Sequence, residues 1–417
     1  MSDSRQIEQD LRAPTAGVPP KRAFSGNFTQ QDALPQASID AALALLGSSR
    51  LHRYNLDQGE AGEVSLLEAE VAAWQGRRFC LAVTSGGQAI QIALRAAGVG
   101  PGDQVLVNAF TLAPVPGAIA ATGADAVLVE SDEDLRIDIA DLEAKQAATG
   151  ARYLLLSHMR GHLPDMDAIS AIAERLGLVL IEDCAHSMGA TYRDIRSGNH
   201  GLAACFSTQT YKHINSGEGG FLLSDDPILM AKATILSGSY MNYARHGAGP
   251  DDEVFQSIRE ETPNLSARMD ALRAAILRPQ LPLLDAKVVA WNRLYDAVRA
   301  PLTDSNLIHL PATLPGELRV GSSVQFRVPT FDAEKCRKLG ALTARAGVEL
   351  KWFGAAKPHG FTSSHRSWRY LGAQDLPQTD RVLSTLFDMR LPLTFSESDC
   401  RLIGEIIRDC VAKISDR

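Results

Sequence analysis

The sequence predicts an α/β fold: a mainly parallel seven-stranded sheet between helices, with a smaller C-terminal α/β domain. Three observations predict it. Short, nearly continuous apolar runs recur through the first part of the chain, as strands buried on both faces do. Segments of helical periodicity alternate with them, the pattern of βαβ units. After Leu284 the alternation stops, and a long helix-like stretch leads into a different, more mixed portion.

In chain order, Pro14, Gly17, Pro19 and Pro20 among polar neighbours read as a loosely held arm. Helical patterns follow from Ser38 to about Leu46 and from Leu66 to Trp74. Strands are expected at Cys80–Val83, Gln104–Val107, Ala126–Val129, Tyr153–Leu156 and Val179–Ile181. The runs Ala203–Phe206 and Phe221–Leu223 complete the sheet. Between them, Ile90, Ile92 and Leu94, and again Ile169, Ile172 and Leu176, mark helices. Trp291, Leu294 and Val298 mark the long helix, with a connection expected around Pro301, Pro311 and Pro315. The expected division is an arm and helix over 1–49, a large domain over 50–285 and a small one over 286–417.

The 417 residues are 45% apolar and 22% charged, the balance of a globular enzyme. A formal charge of −7 disfavours work on nucleic acid, where a basic stripe is expected. No window approaches the roughly 18 consecutive apolar residues of a membrane span. Cys80, Cys184, Cys205, Cys336, Cys400 and Cys410 form no C-x-x-C pair. They read as reduced thiols, and the polar N-terminus as that of a cytoplasmic protein. The histidines show no H-E-x-x-H spacing, and no metal site is expected.

Three segments carry chemistry. Lys212 follows the strand ending Cys205-Phe206-Ser207 and precedes Gly217-Glu-Gly-Gly220, which allows close backbone approach. A lysine at the end of a buried strand is partly desolvated, and its amine becomes a usable nucleophile. Val179-Leu-Ile-Glu182-Asp183-Cys-Ala-His186 ends in two acids at a strand's C-terminal edge, where open α/β sheets place ligands. A buried Asp there suits a pyridine nitrogen, although a helix cap or metal ligand would read the same; His186 can donate to a ring hydroxyl. Thr84-Ser85-Gly86-Gly87-Gln88 turns from strand into helix and offers backbone amides to a phosphate. It lacks the spacing of dinucleotide and ATP motifs.

In this order the segments resemble the DegT/DnrJ/EryC1/StrS family of sugar aminotransferases, which are fold-type-I pyridoxal-phosphate enzymes. The likeness runs from about Ser65 to Arg390-Leu-Pro-Leu393, through Gly98-Val-Gly-Pro-Gly-Asp103, Leu163-Pro-Asp-Met-Asp167 and Asn264-Leu-Ser-Ala-Arg-Met269. It implies that Lys212 forms the internal aldimine with pyridoxal 5'-phosphate and then moves the proton. Asp183 would pair with the pyridine nitrogen, and His186 would contact the ring hydroxyl. Ser207 and the amides of Gly87 and Gln88, beside Gly86, would hold the phosphate. Asn264 would reach the phosphate of a neighbouring subunit, which implies a homodimer with shared active sites.

Two positions depart from the family. Gly87 stands where Thr or Ser is usual. Where an aromatic residue usually stacks on the cofactor, this sequence has Leu112, with Phe110 two residues away, so either can serve. The resemblance implies transfer of an amino group from glutamate or glutamine, through pyridoxamine 5'-phosphate, to a keto acceptor such as a (nucleotide-linked) keto sugar or keto cyclitol. Relatives with His in place of the lysine are dehydratases. Lys212 favours aminotransfer over a dehydratase or epimerase and over an inactive regulator. The cationic, aromatic stretch Lys351–Tyr370 is expected near the acceptor, or as a solvated loop with two core tryptophans. Arg50–Tyr54 and Ser239–His246 are candidates for the entrance.

Overall fold

The structure is a computed structural model that describes residues 22–357 and 364–415. The expected arm before Arg22, and Pro358 to Thr362 with Ser363 within the cationic stretch, lie outside the described residues.

All seven expected strands form, each a residue or two longer than its apolar run. They are β1 (Phe79–Val83), β2 (Gln104–Asn108), β3 (Asp125–Val129), β4 (Tyr153–Ser157), β5 (Val179–Asp183), then, after the two-residue strands β6 (Thr191–Tyr192) and β7 (Ile195–Arg196), β8 (Ala203–Ser207) and β9 (Gly220–Ser224). The sheet order is β1-β9-β8-β5-β4-β2-β3. Only β9 is reversed, pairing antiparallel with both β1 and β8. The remaining strands therefore deliver their C-terminal ends to one edge, where ligands of open α/β sheets bind.

Apolar residues cover both faces. Leu67, Val71, Leu154, Met166 and Phe221 belong to one buried cluster, and Ile90, Leu94, Val105, Leu155 and Met230 to the other. Burial on both faces is why these strands read as continuous apolar runs rather than alternating ones. Side-chain caps fix the helices that cover them: Ser85 caps Gly86–Ala96, Asp165 caps Met166–Leu176 and Asp226 caps Pro227–Ser237.

A third cluster includes Phe24, Phe28, Phe326, Phe387, Ile403 and Ile407. It is built on the sheet of β11 (Ser323–Arg327), β13 (Leu386–Arg390) and β12 (Lys351–Trp352); β10 (Glu317–Leu318) pairs instead with β6. The helix Leu284–Thr303 serves two clusters: Leu284, Val288 and Trp291 join the first, Leu294, Val298 and Leu302 the third. We propose the domain division at 285/286, near the start of this helix. Pro301, expected in a connection, lies inside it instead. Its ring is buried against Gly404, whose helix approaches so closely that a Cβ there would sit 2.4 Å from the Val298 carbonyl. Tight helix packing outweighs the one backbone bond that proline forfeits.

Candidate active site

The register of the sheet assembles the site. Ser157 stands opposite Asp183, and Ser207 opposite Gly220, which in turn faces Val83. The ends of β4, β5, β8 and β1 and the start of β9 thus lie side by side.

Asp183 is buried and firmly oriented. Ser157 Oγ donates to its Oδ2 at 2.8 Å, and the Ala185 amide donates to Oδ1 at 3.1 Å. Thr111 Oγ1 donates in turn to Ser157 Oγ at 2.8 Å. Each carboxylate oxygen keeps a free lone pair for a ligand. Glu182, its neighbour, has a structural task. It accepts from the amides of Gly198, His200 and Gly201 at 2.8–2.9 Å and lies 3.0 Å from His158 Nε2. Burial pushes its carboxyl up, but these donors prevail and hold it at about 2. His158, Glu182 and Cys184 lie close enough to hold a metal ion. His158 Nε2 faces Glu182, and Cys184 Sγ accepts from Ser197 Oγ at 3.2 Å.

Lys212 does not sit at the end of β8; the strand stops at Ser207 and the lysine rides on the connection 208–219. Backbone bonds shape that connection: Lys212 N donates to the Gln209 carbonyl at 2.8 Å, and Thr208 and Ser216 cross it. Nζ lies 2.8 Å from His186 Nε2. Burial and the neighbouring Arg160 pull the Lys212 ammonium down from 10.5 to about 7, with Asp183 opposing. Burial, then Lys212 and Arg160, hold the His186 imidazole well below its ordinary value. A neutral His186 therefore faces a lysine that releases its proton near neutrality.

The turn before the helix Gly86–Ala96 packs against β8 and β9. A Cβ on Gly86 would lie 2.8 Å from Ser207 Cβ, and one on Gly220 would lie 2.5 Å from the carbonyl carbon of Ser85. Only glycine permits this approach. Ser85 Oγ accepts the Gln88 amide at 3.1 Å, which leaves the amides of Gly86 and Gly87 as the open donors of the helix start.

Phe110 is 1% exposed and meets Phe353 edge-on at 5.4 Å, in a cluster with Leu135 and Met159; Leu112 is only partly buried against it. Asn264 is exposed, and its Oδ1 accepts the Tyr240 amide at 2.8 Å. Of the entrance candidates, Arg53, Tyr54 and His246 are buried, whereas Leu51, Tyr240 and Met241 are exposed. Arg53 grips Glu68 with two bonds at 3.0 and 2.9 Å, and Glu68 also accepts the Ala82 amide. A buried carboxylate needs such partners, so these residues brace β1 rather than line an opening. In the cationic stretch, Trp368 is a core residue. The sequence reading missed Ser157, Arg160 and the cleft that Lys212 shares with Asp32, Tyr211, Trp291, Ser322 and Arg390. A polar residue ending an apolar run, and a cation beside Gly161, were the available signals.

Fold and site together are those of a fold-type-I aminotransferase. Residues 51–408 match the DegT/DnrJ/EryC1/StrS aminotransferase family, and the chain belongs to that family. It is 30% identical over 387 residues to 3-amino-5-hydroxybenzoate synthase of Amycolatopsis mediterranei, covering 86% of this chain and 93% of that protein. It is 35% identical to the dTDP-3-amino-3,4,6-trideoxy-alpha-D-glucose transaminase of Streptomyces venezuelae, over 67% of this chain and 69% of that one. The crystal structure of a 3-amino-5-hydroxybenzoic acid synthase superposes with a TM-score of 0.79 at 25% identity, covering 93% of this chain and 99% of that one.

Proposed function

We propose that this aminotransferase uses pyridoxal phosphate to move an amino group from glutamate or glutamine to a keto sugar, free or nucleotide-linked, or to a keto cyclitol. One observation supports the reading: the sheet register brings Asp183, Ser207 and the glycine turn side by side, and Lys212 follows Ser207 on the next connection, near enough to Asp183 to feel its charge.

The residues fit the cofactor at each pole. Asp183 would face the pyridine nitrogen, Ser207 and the amides of Gly86 and Gly87 the phosphate, and Lys212 the aldehyde carbon. His186 would lie between Lys212 and the ring hydroxyl. Leu112 would cover the ring, because Phe110 is committed to its own cluster. Gln88 would act on the phosphate through the helix start, since Ser85 holds its amide. When bound, the cofactor's protonated ring withdraws electrons from the carbon that bears the amine, so its hydrogen can leave as a proton. Lys212 Nζ would take that proton and give it back on the far side of the amine nitrogen. A value of about 7 lets it do both near neutral pH. Ser157 and Thr111 keep Asp183 aimed while this happens.

The assembly we propose is a homodimer. On the helix Gln36–Ser48, Ile39, Leu43 and Leu46 are 41, 62 and 49% exposed at i, i+4 and i+7, one apolar stripe. Tyr240, Met241 and Leu265 are likewise exposed around Asn264, where a second copy would place that residue near a phosphate. Among the described residues no helix is long and apolar enough to cross a membrane, and all six cysteines are free. We place the enzyme in the cytoplasm on that thiol chemistry.

The test is to add glutamate to holoenzyme and follow the bound cofactor by absorption. Conversion to pyridoxamine phosphate is expected, followed by its reversal with one member of a panel of keto sugars, keto cyclitols and small ketones. Lys212→Ala should lose both. Wild-type turnover in that variant would sink the proposal.

A further inference from the structure

The turn after β4 carries Arg160 into the site. It follows Ser157 closely and precedes Gly161, where a Cβ would lie 3.0 Å from the His186 carbonyl. Arg160 has φ 58° and ψ 20°, a left-handed conformation that costs a non-glycine residue on the order of 1 kcal/mol. Such strain persists where surrounding contacts impose it, and it clusters at functional sites.

Its side chain is 12% exposed. Nη2 donates to Asp388 Oδ2 at 2.5 Å, and Gln325 Nε2 donates to Asp388 Oδ1 at 2.7 Å. Nε is buried and has no partner among the described residues. A guanidinium offers five N–H donors in a planar fork, so Asp388 fills part of the fork and leaves Nε unanswered. A buried donor left this way costs roughly 1–3 kcal/mol, which a ligand acceptor would recover.

A second cation, Arg390, lines the cleft of Lys212, two residues along the strand from the Asp388 that Arg160 grips. Its Cζ lies 4.2 Å from the Tyr211 ring centroid, and it donates to the Phe28 carbonyl at 3.2 Å. Asp32, in that wall, is already paired with Lys287 at 2.8 Å. The charge of Arg160 reaches Lys212, His186, Lys351 and Arg390 and disfavours the protonated form of each. Cations held together with unfilled donors describe a place for an anion.

We propose that Arg160, together with Arg390, forms a subsite for a substrate carboxylate carried on the carbon whose amine or carbonyl reacts at Lys212. The planar fork matches a carboxylate. Its place beside Lys212 suits a group one bond from the reacting carbon, whereas a nucleotide's phosphates lie several bonds from its keto carbon. The inference rests on the aminotransferase reading. Its carboxylate comes either from the amino donor or from a keto-acid acceptor.

The test uses holoenzyme and two readouts. The first is calorimetric binding of glutarate, an unreactive dicarboxylate. Arg160→Gln should weaken it about tenfold, equivalent to about 1.4 kcal/mol, with Arg160→Lys recovering part of the loss. The second is the KM of each half-reaction. A rise confined to glutamate assigns the subsite to the donor, and one confined to a keto-acid acceptor assigns it to the acceptor. Both outcomes support the proposal. If Arg160→Gln does not fold, Arg390→Gln gives the same readings. Unchanged glutarate binding in a folded, cofactor-loaded variant overturns it, because an ion pair with only a structural role moves melting temperature and not affinity. Wild-type protein inert to glutamate that still binds glutarate through Arg160 would overturn the aminotransferase reading but not the anion subsite.

Discussion

Lys212 has two uses for its depressed proton affinity. An amine that is about half unprotonated at neutral pH could react with an aldehyde, and the same amine could later accept and release a proton at little cost. Cofactor uptake by the cofactor-free protein should therefore rise with pH around a midpoint near 7, and a midpoint near 10 would contradict the buried setting. Stability follows the same proton. The unfolded lysine keeps it up to about 10.5 while the folded one gives it up near 7, so the unfolded chain binds more protons across that window. This group's contribution therefore makes the cofactor-free fold more stable as pH rises from 7 to 10.5. At this scale Asp183 and Lys212 were legible because each lies in a compact motif. Ser157 and Arg160 were not. They reach the site through pairing of distant strands and through a left-handed turn at a residue that is not glycine.

Among the elements, the hairpin β8–β9 decides where the site forms. Its connection, residues 208–219, forms no helix: the Thr208 amide donates to the Gly219 carbonyl and the Ser216 amide to the Thr208 carbonyl, which closes the loop and turns β9 back. The sequence showed both apolar runs but not this reversal, because buried strands of either direction read alike. Strand ends were also short by a residue or two. Ser157, Asp183 and Ser207 are polar, as the chemistry requires, and so they leave no apolar trace. The hairpin brings Gly220 against the Ser85–Gly86 backbone, and Gly220→Ala would place a methyl 2.5 Å from the Ser85 carbonyl carbon. Main chain cannot swing aside as a side chain can. A loss of about 1–3 kcal/mol in unfolding free energy is expected, with weaker cofactor binding. Denaturant titration and cofactor binding by absorption measure the two, and an unaffected variant would show that the turn is looser than described.

For the whole molecule, the exposed stripe on the helix Gln36–Ser48 predicts association. Leu43→Glu would set a charge at its centre, where Leu43 is 62% exposed and makes little contact within one chain. Light scattering should show a dimer for the wild type and a shift toward monomer for the variant, with little change in the fold of each protomer. Cofactor should also dissociate more readily if Asn264 serves a neighbouring phosphate. A variant that stays dimeric would move the interface elsewhere, with the patch of Tyr240, Met241 and Leu265 next in line.

The segment from Arg22 to Asp32 ties both ends of the described chain to the reacting centre. Arg22 bonds to Glu405, the rings of Phe24, Phe28 and Phe395 meet edge to face, and Gln30 to Asp32 wall the cleft beside Lys212. Proteolytic nicking behind Asp32 would strip one side from the cleft while leaving the large sheet whole. For anyone engineering this enzyme, the catalytic unit therefore takes in the segment from Arg22 to Asp32, well before the first strand.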